Sequence, residues 1–223
     1  MLLYYHTGDD RWRFLVGDGS GNGFVNSSLI TSNEELGKGQ WQHHCVVFDT
    51  VNNNAYYYIN NQQVNSATNL SRKIATNADF YIGKKWDLSS SGTFSGLISQ
   101  GCVFDYALST SQRTYLYNLG NPLVISGAEP IAYWPLGDNS NPTATAGYPN
   151  IVSAADSVFD FNTPGSWIDC GNNASLNVGN GDLSISAWVY PTSVSGNDDV
   201  CAIGANGGTR FRLQRREDHI GAY

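Results

Sequence analysis

The run Leu183-Ser184-Ile185-Ser186-Ala187-Trp188-Val189-Tyr190 alternates with period two. Such a run puts Leu183, Ile185, Ala187 and Val189 on one face and Trp188 and Tyr190 on the other, the pattern of a strand buried on one side. Shorter strand signals recur along the chain between turn residues. Trp12 to Val16 precedes the Gly-rich loop 17–23. Cys45 to Phe48 and Ala55 to Ile59 flank a polar turn, and Asn60-Asn61 supplies a tight turn in which Asn accepts the left-handed conformation. Phe80 to Gly83, Leu97-Ile98 with Val103-Phe104, Ile131 to Trp134, Val158 to Phe161 and Trp167-Ile168 add more strands. One short helix is predicted after Leu108: Ser109 and Gln112 form a capping box, Tyr115 and Leu116 face inward, and Gly120 with Pro122 stops it. Charged residues are only 14% of the chain, too few for a mainly helical surface. The expected fold is all-β: an antiparallel jelly-roll β-sandwich with one short helix.

The turn-rich stretch from Leu119 to Pro130 sets a linker at 121–130, and the strand pattern begins again after it. A faint internal match accompanies this break. Thr209-Arg210-Phe211-Arg212-Leu213 resembles Asp10-Arg11-Trp12-Arg13-Phe14 at an offset of 199 residues. It implies that the last strands re-enter the fold where the chain begins.

Several motifs together resemble the laminin-G-like members of the concanavalin A-like jelly-roll superfamily. Motifs of that family's second half appear as Trp41 to Asp49, Tyr58-Ile59-Asn60-Asn61, Tyr81-Ile82-Gly83, Phe94 to Ile98 and Ala107-Leu108-Ser109. Motifs of its first half appear as Ala132 to Leu136 and Leu183 to Pro191. The order is inverted. Residues 1–120 therefore read as the C-terminal part of one laminin-G-like jelly roll, and 131–223 as the N-terminal part of a second or complementing one. The style resembles tandem-repeat virion proteins of marine bacteriophages, with Asn118 to Leu123 following the helix.

The net charge of -7 excludes nucleic-acid backbones and disfavours anionic membranes as partners. No apolar run is long enough for a transmembrane helix, and the first residues lack the form of a signal peptide. Cys45, Cys102, Cys170 and Cys201 form no C-x-x-C pair, so zinc has no support. Two disulfides are permitted, but a chain of this size needs no staple, and separate thiols are the favoured reading.

Glycoside hydrolysis needs paired carboxylates, and the E-x-D-x-x-E-like run of related glucanases is missing; Glu34 and Glu35 are adjacent and would face opposite sides of a strand. The resemblance implies that His43 hydrogen-bonds between strands. It also implies a structural calcium at Asp138, although Ser99 and Gln100 stand where relatives carry an acid. The loop acids Asp9-Asp10 and Asp198-Asp199 are weaker candidates. Trp86 and Asp87, after Lys84-Lys85, are the expected glycan contacts. The expected function is a non-catalytic structural or adhesion module of an extracellular or virion assembly that binds cell-surface glycan. A polysaccharide-active glycoside hydrolase is the alternative. Neighbouring copies or repeats are the expected partners, because half a sandwich leaves an apolar face and strand edges open. Three arrangements complete it, in order of expectation: a window from a longer repeat array, exchange between chains, and intrachain permutation.

Overall fold

A computed structural model describes residues 2–6, 11–16, 38–68, 79–84, 93–135, 158–162, 166–176, 179, 181–193, 199–203 and 211–214. The strands are β1 (Leu2–His6), β2 (Arg11–Val16), β3 (Gln42–Asp49), β4 (Asn54–Ile59), β5 (Gln62–Ala67), β6 (Phe80–Ile82) and β7 (Gly96–Phe104). After helix α1 (Thr110–Tyr117) come β8 (Ala132–Trp134), β9 (Phe159–Asp160), β10 (Ile168–Asp169), β11 (Leu183–Pro191), β12 (Asp199–Ile203) and β13 (Phe211–Gln214). One sheet has the order β10-β6-β12-β13-β1-β2. The other runs β9-β7-β11-β3-β4-β5, with β8 also paired to β7. Among these strand pairs only β1 with β13 is parallel. The two sheets and the mostly antiparallel ladders are those of the expected sandwich.

Strands from before and after residue 120 pair in the same two sheets. β11 lies between β3 and β7, running from Leu183 opposite Phe48 to Val189 opposite Gln42 on one side. On the other it runs from Ser184 opposite Phe104 to Pro191 opposite Gly96, with a bulge between Ser186 and Trp188. β13 returns beside β1, as the internal match implied. Residues 121–130 are not a free connector. Pro122–Val124 form a 3-10 turn, Ile125 is buried, and the Gln112 amide and Tyr106 hydroxyl donate to the carbonyls of Ser126 and Ala128.

The inner faces share one core: Val46 and Phe48 of β3, Ala55, Tyr57 and Ile59 of β4, Phe80 and Ile82 of β6, and Leu183, Ile185, Ala187 and Val189 of β11. Trp12 of β2 is wholly buried there, edge-on to the His44 ring at 4.5 Å. A second apolar cluster lies on the outer face, where α1 covers Cys45, Val47, Tyr58, Cys102 and Phe104 through Leu108 and Leu116. The expected capping box is present, with Gln112 N donating to Ser109 Oγ and Ser109 N to Gln112 Oε1. Tyr115 departs from expectation. It is 38% exposed, and its ring lies against Gly120 rather than in the core. The helix ends at Tyr117, before that glycine, with Asn118 as C-cap: Leu119 takes the left-handed φ of 62°, and Leu119 N and Gly120 N cap the carbonyls of Leu116 and Tyr115. The Asn60-Asn61 turn has φ of 49° and 62°, the geometry a two-residue hairpin requires. All four cysteines are free thiols.

The buried polar groups of β3 tie strands together. His43 Nε2 lies 2.7 Å from Ser186 Oγ, bridging β3 and β11 as the resemblance implied. His44 Nδ1 lies 2.6 Å from the Tyr57 hydroxyl on the inner side. Ser184 Oγ donates to Tyr106 O and accepts from Leu108 N, anchoring the approach to α1. Outward of Tyr57, Tyr58 packs beneath the Arg113 guanidinium, 3.9 Å from its ring centre.

Gly96 has φ of 154°, and a Cβ there would sit 2.2 Å from the Tyr190 carbonyl oxygen and within 2.8 Å of the Phe94 ring. Gly96→Ala should cost about 3 kcal/mol or more in urea unfolding, while Gly171→Ala, also left-handed but in open space, should cost about 1 kcal/mol. Burial lowers the His43 and His44 pKa values from 6.5 to about 3, with the neighbouring His43 adding to the effect on His44. The unfolded chain then binds two protons that the folded chain refuses. Stability is complete above 6.5 and is lost as pH falls from there towards 3, by roughly 2 kcal/mol per histidine at pH 5. The urea midpoint should drop clearly between pH 7 and pH 5. An unchanged midpoint would contradict neutral buried imidazoles.

Candidate functional site

Period two decides which side chains of the β6–β10 edge face out. Phe80 and Ile82 enter the core, with Ile168 and Cys170 packed against it. Asp79 and Tyr81, and likewise Trp167 and Asp169, therefore project from the opposite face. Antiparallel pairing sets Ile168 opposite Ile82 and Asp169 opposite Tyr81, which brings the two sets together. Cys170 N donating to Phe80 O and Phe80 N to Gly171 O extend the same ladder.

The Trp167 ring is 36% exposed and meets Tyr81 edge-on at 5.4 Å. Lys84 Nζ lies 4.9 Å from the centre of the indole. That ammonium makes no ion pair among the described residues. The Tyr81 hydroxyl donates to Asp79 Oδ2 at 3.1 Å, and Asp169 Oδ1 accepts from Gly171 N at 2.8 Å. Burial, the Asp79 hydrogen bond and the charges of Asp79 and Asp169 push the Tyr81 phenol up to about 12. It remains a neutral donor at any physiological pH. The indole thus has the Lys84 ammonium over its ring and Tyr81 against it edge-on, with Asp79 bonded to the Tyr81 hydroxyl and Asp169 opposite Tyr81 in the ladder, polar groups and an aromatic ring of the kind that recognise a polyol with one apolar side.

A second aromatic ledge lies on the outer face of the other sheet. Trp41 meets Tyr190 at 5.5 Å, and Trp188 stacks on Tyr117 at 5.8 Å and 15° and contacts His43 at 5.2 Å. These rings spend their faces on each other, and His43 beside Trp188 is buried and bonded to Ser186. This ledge reads as packing around α1.

Trp86, Asp87 and Asp138 lie outside the described residues, as do Asp9, Asp10 and Asp198. The described part of the loop holding Trp86 ends at Lys84, which is in the Trp167 cluster. Sequence reasoning missed Trp167, Tyr81, Asp79 and Asp169. Their alternation with core residues on two short strands was the available signal, but nothing local showed that these strands pair.

At the expected calcium corner, Pro135 O accepts from both Ser99 Oγ at 3.2 Å and Gln100 N at 3.0 Å. The described residues there are neutral, with the Ser99 hydroxyl already engaged, and do not fit a calcium ion. Among the described residues no group of three His, Cys, Asp or Glu side chains could hold a metal. Asp199, one of the weaker ion candidates, is wholly buried at the start of β12.

No curated protein and no solved structure matches the chain. A laminin-G-type family model, described as the concanavalin A-like lectin/glucanases superfamily, matches residues 1–112. That span contains β3 to β7, the ladder into which β11 fits. With two sheets of mostly antiparallel strands and one capped helix, the chain belongs to the concanavalin A-like lectin/glucanases superfamily.

Proposed function

We propose that the protein is a non-catalytic adhesion or structural module that binds glycan at the Trp167 edge. The observation that carries this reading is the part-exposed Trp167 indole, with Lys84 over its ring and Tyr81 edge-on to it, and Asp79 and Asp169 beside Tyr81. A pyranose would stack its apolar face on the indole. Its hydroxyls would donate to the carboxylates and accept from Lys84. Trp86 and Asp87 follow Lys84 closely and are assigned to the same ligand. Membership of the superfamily supports carbohydrate as the ligand class.

The acidic net charge suits polar, uncharged ligands better than nucleic acid or anionic lipid. We place the module at an extracellular or virion surface, beside other copies or repeats and facing a cell-surface glycan. The repeat offset supports the phage-like tandem style.

A glycan array on the whole chain, followed by titration of the best hit, tests the reading. Trp167→Ala should weaken binding at least about tenfold, the scale of one central aromatic contact, with the urea midpoint little changed. Trp86→Ala should weaken it as well. No array signal, or full affinity in both variants, would contradict the assignment. Reducing-sugar release from laminarin, agar or alginate that is lost on carboxylate substitution would instead make the protein a glycoside hydrolase.

A further inference from the structure

The charges at the Trp167 edge do not pair with one another. Asp79 accepts from the Tyr81 hydroxyl and Asp169 from Gly171 N, both neutral donors. Among the described residues neither carboxylate makes an ion pair. Lys84 turns its ammonium to the Trp167 ring instead, 4.9 Å from the centre. Asp169 stands opposite Tyr81 in the ladder and Asp79 is bonded to the same tyrosine, so both carboxylates flank one phenol ring. Both charges raise the Tyr81 phenol, so both lie within electrostatic reach of it. Two anions against one cation leave this edge net negative. Lys85 and Asp87, next in the sequence, cancel, and the whole chain at -7 has the same sign.

Three kinds of sugar meet this set differently. A neutral sugar gains ordinary hydrogen bonds from its hydroxyls. An anionic sugar is attracted by Lys84 but repelled by two carboxylates and by the chain as a whole. A sugar with a protonated amine gains most. The negative face of an indole attracts a cation, and the Lys84 ammonium already uses it. A ligand ammonium at the same place gains that attraction. It also forms charge-assisted hydrogen bonds with carboxylates that Lys84 leaves unpaired. In an oligomer, successive units can serve the indole and the carboxylates separately.

We propose that the Trp167 edge selects cationic glycan, an oligomer of amino sugars with free amines, whose ammonium groups are held by the Trp167 indole and by Asp79 and Asp169. This rests on the reading of the same edge as a glycan site and narrows its ligand class. It also gives Lys84 two opposite roles. Towards a neutral sugar its ammonium is a hydroxyl-binding donor. Towards a cationic one it is a tethered competitor that must leave the indole face before the ligand amine takes its place.

Matched oligomers of β-1,4-linked glucosamine, with free amines or fully N-acetylated, test this by titration of the whole chain in one mildly acidic buffer. The free-amine oligomer should bind at least about tenfold more tightly, the scale of a charge-assisted hydrogen bond, and added salt should erode that margin. Asp79→Asn with Asp169→Asn keeps the acceptors of the Tyr81 and Gly171 bonds and should remove the preference. Lys84→Met should tighten free-amine binding about two- to fivefold, the worth of one exposed cation–π contact, and weaken binding of the acetylated form. Equal affinity for the two oligomers, or array hits with no free-amine binding, would overturn the cationic class and leave the glycan site standing. Free-amine binding that survives Trp167→Ala and both Asp substitutions would be general attraction to an acidic protein, and would overturn it too. Binding of a lysine-rich peptide but of neither oligomer would make the ligand a protein. Neither oligomer bound and a blank array would remove the glycan reading itself.

Discussion

The position of β11 between β3 and β7 is the constraint on which the rest of the structure depends. Without it, one sheet would split into β7 with its short edge strands β8 and β9, and the meander β3-β4-β5. The inner core would lose Leu183, Ile185, Ala187 and Val189 from its middle. Backbone groups on both flanking strands would be left unpaired in an apolar interior, at a cost no small sandwich can absorb. The later residues of β11 fill that place between β3 and β7, and α1 covers the outer-face cluster beside it.

Register in that central ladder is set by polar groups as much as by apolar ones. His43 stands opposite Trp188 and reaches diagonally to Ser186, while Ser184 holds both Leu108 N and Tyr106 O. A slip of one residue would turn every β11 side chain to the wrong face and leave these groups buried without partners. Buried thiols share the same outer layer, where burial raises the Cys45 thiol to about 12 despite the nearby Arg113 and keeps it inert. Function is left to the periphery. The Trp167 edge lies on the outer face of the other sheet, away from the ladder that holds the sandwich together.

Local signals in the sequence are reliable where one face is buried or a turn has strict chemistry. The alternation in β11, the Asn60-Asn61 hairpin turn and the Ser109–Gln112 capping box all appear as read. β5 escaped because Gln62 to Ala67 is a polar edge strand with no apolar alternation. β1 escaped because Leu2 to His6 is apolar and aromatic without a period. The candidate site shows a different limit. Trp86 and Asp87 drew attention as a local aromatic–acid pair, whereas Trp167 joins Tyr81 only through the long-range pairing of Ile168 with Ile82. Composition and spacing do not encode which short strands become neighbours. Tyr115 misled for a simpler reason: helical spacing placed it inward, but the tight turn at Leu119 and Gly120 gives its ring a surface seat.

Nuclear Overhauser effects from the backbone of Ser186 test the central arrangement most directly. The structure sets Ser186 opposite Cys45 on one side and Cys102 on the other. Cross-strand contacts from Ser186 to both residues are predicted. They should persist within single chains when labelled and unlabelled protein are mixed. Contacts between Cys45 and Cys102 strands without Ser186, or Ser186 contacts seen only between differently labelled chains, would contradict a sandwich completed from within.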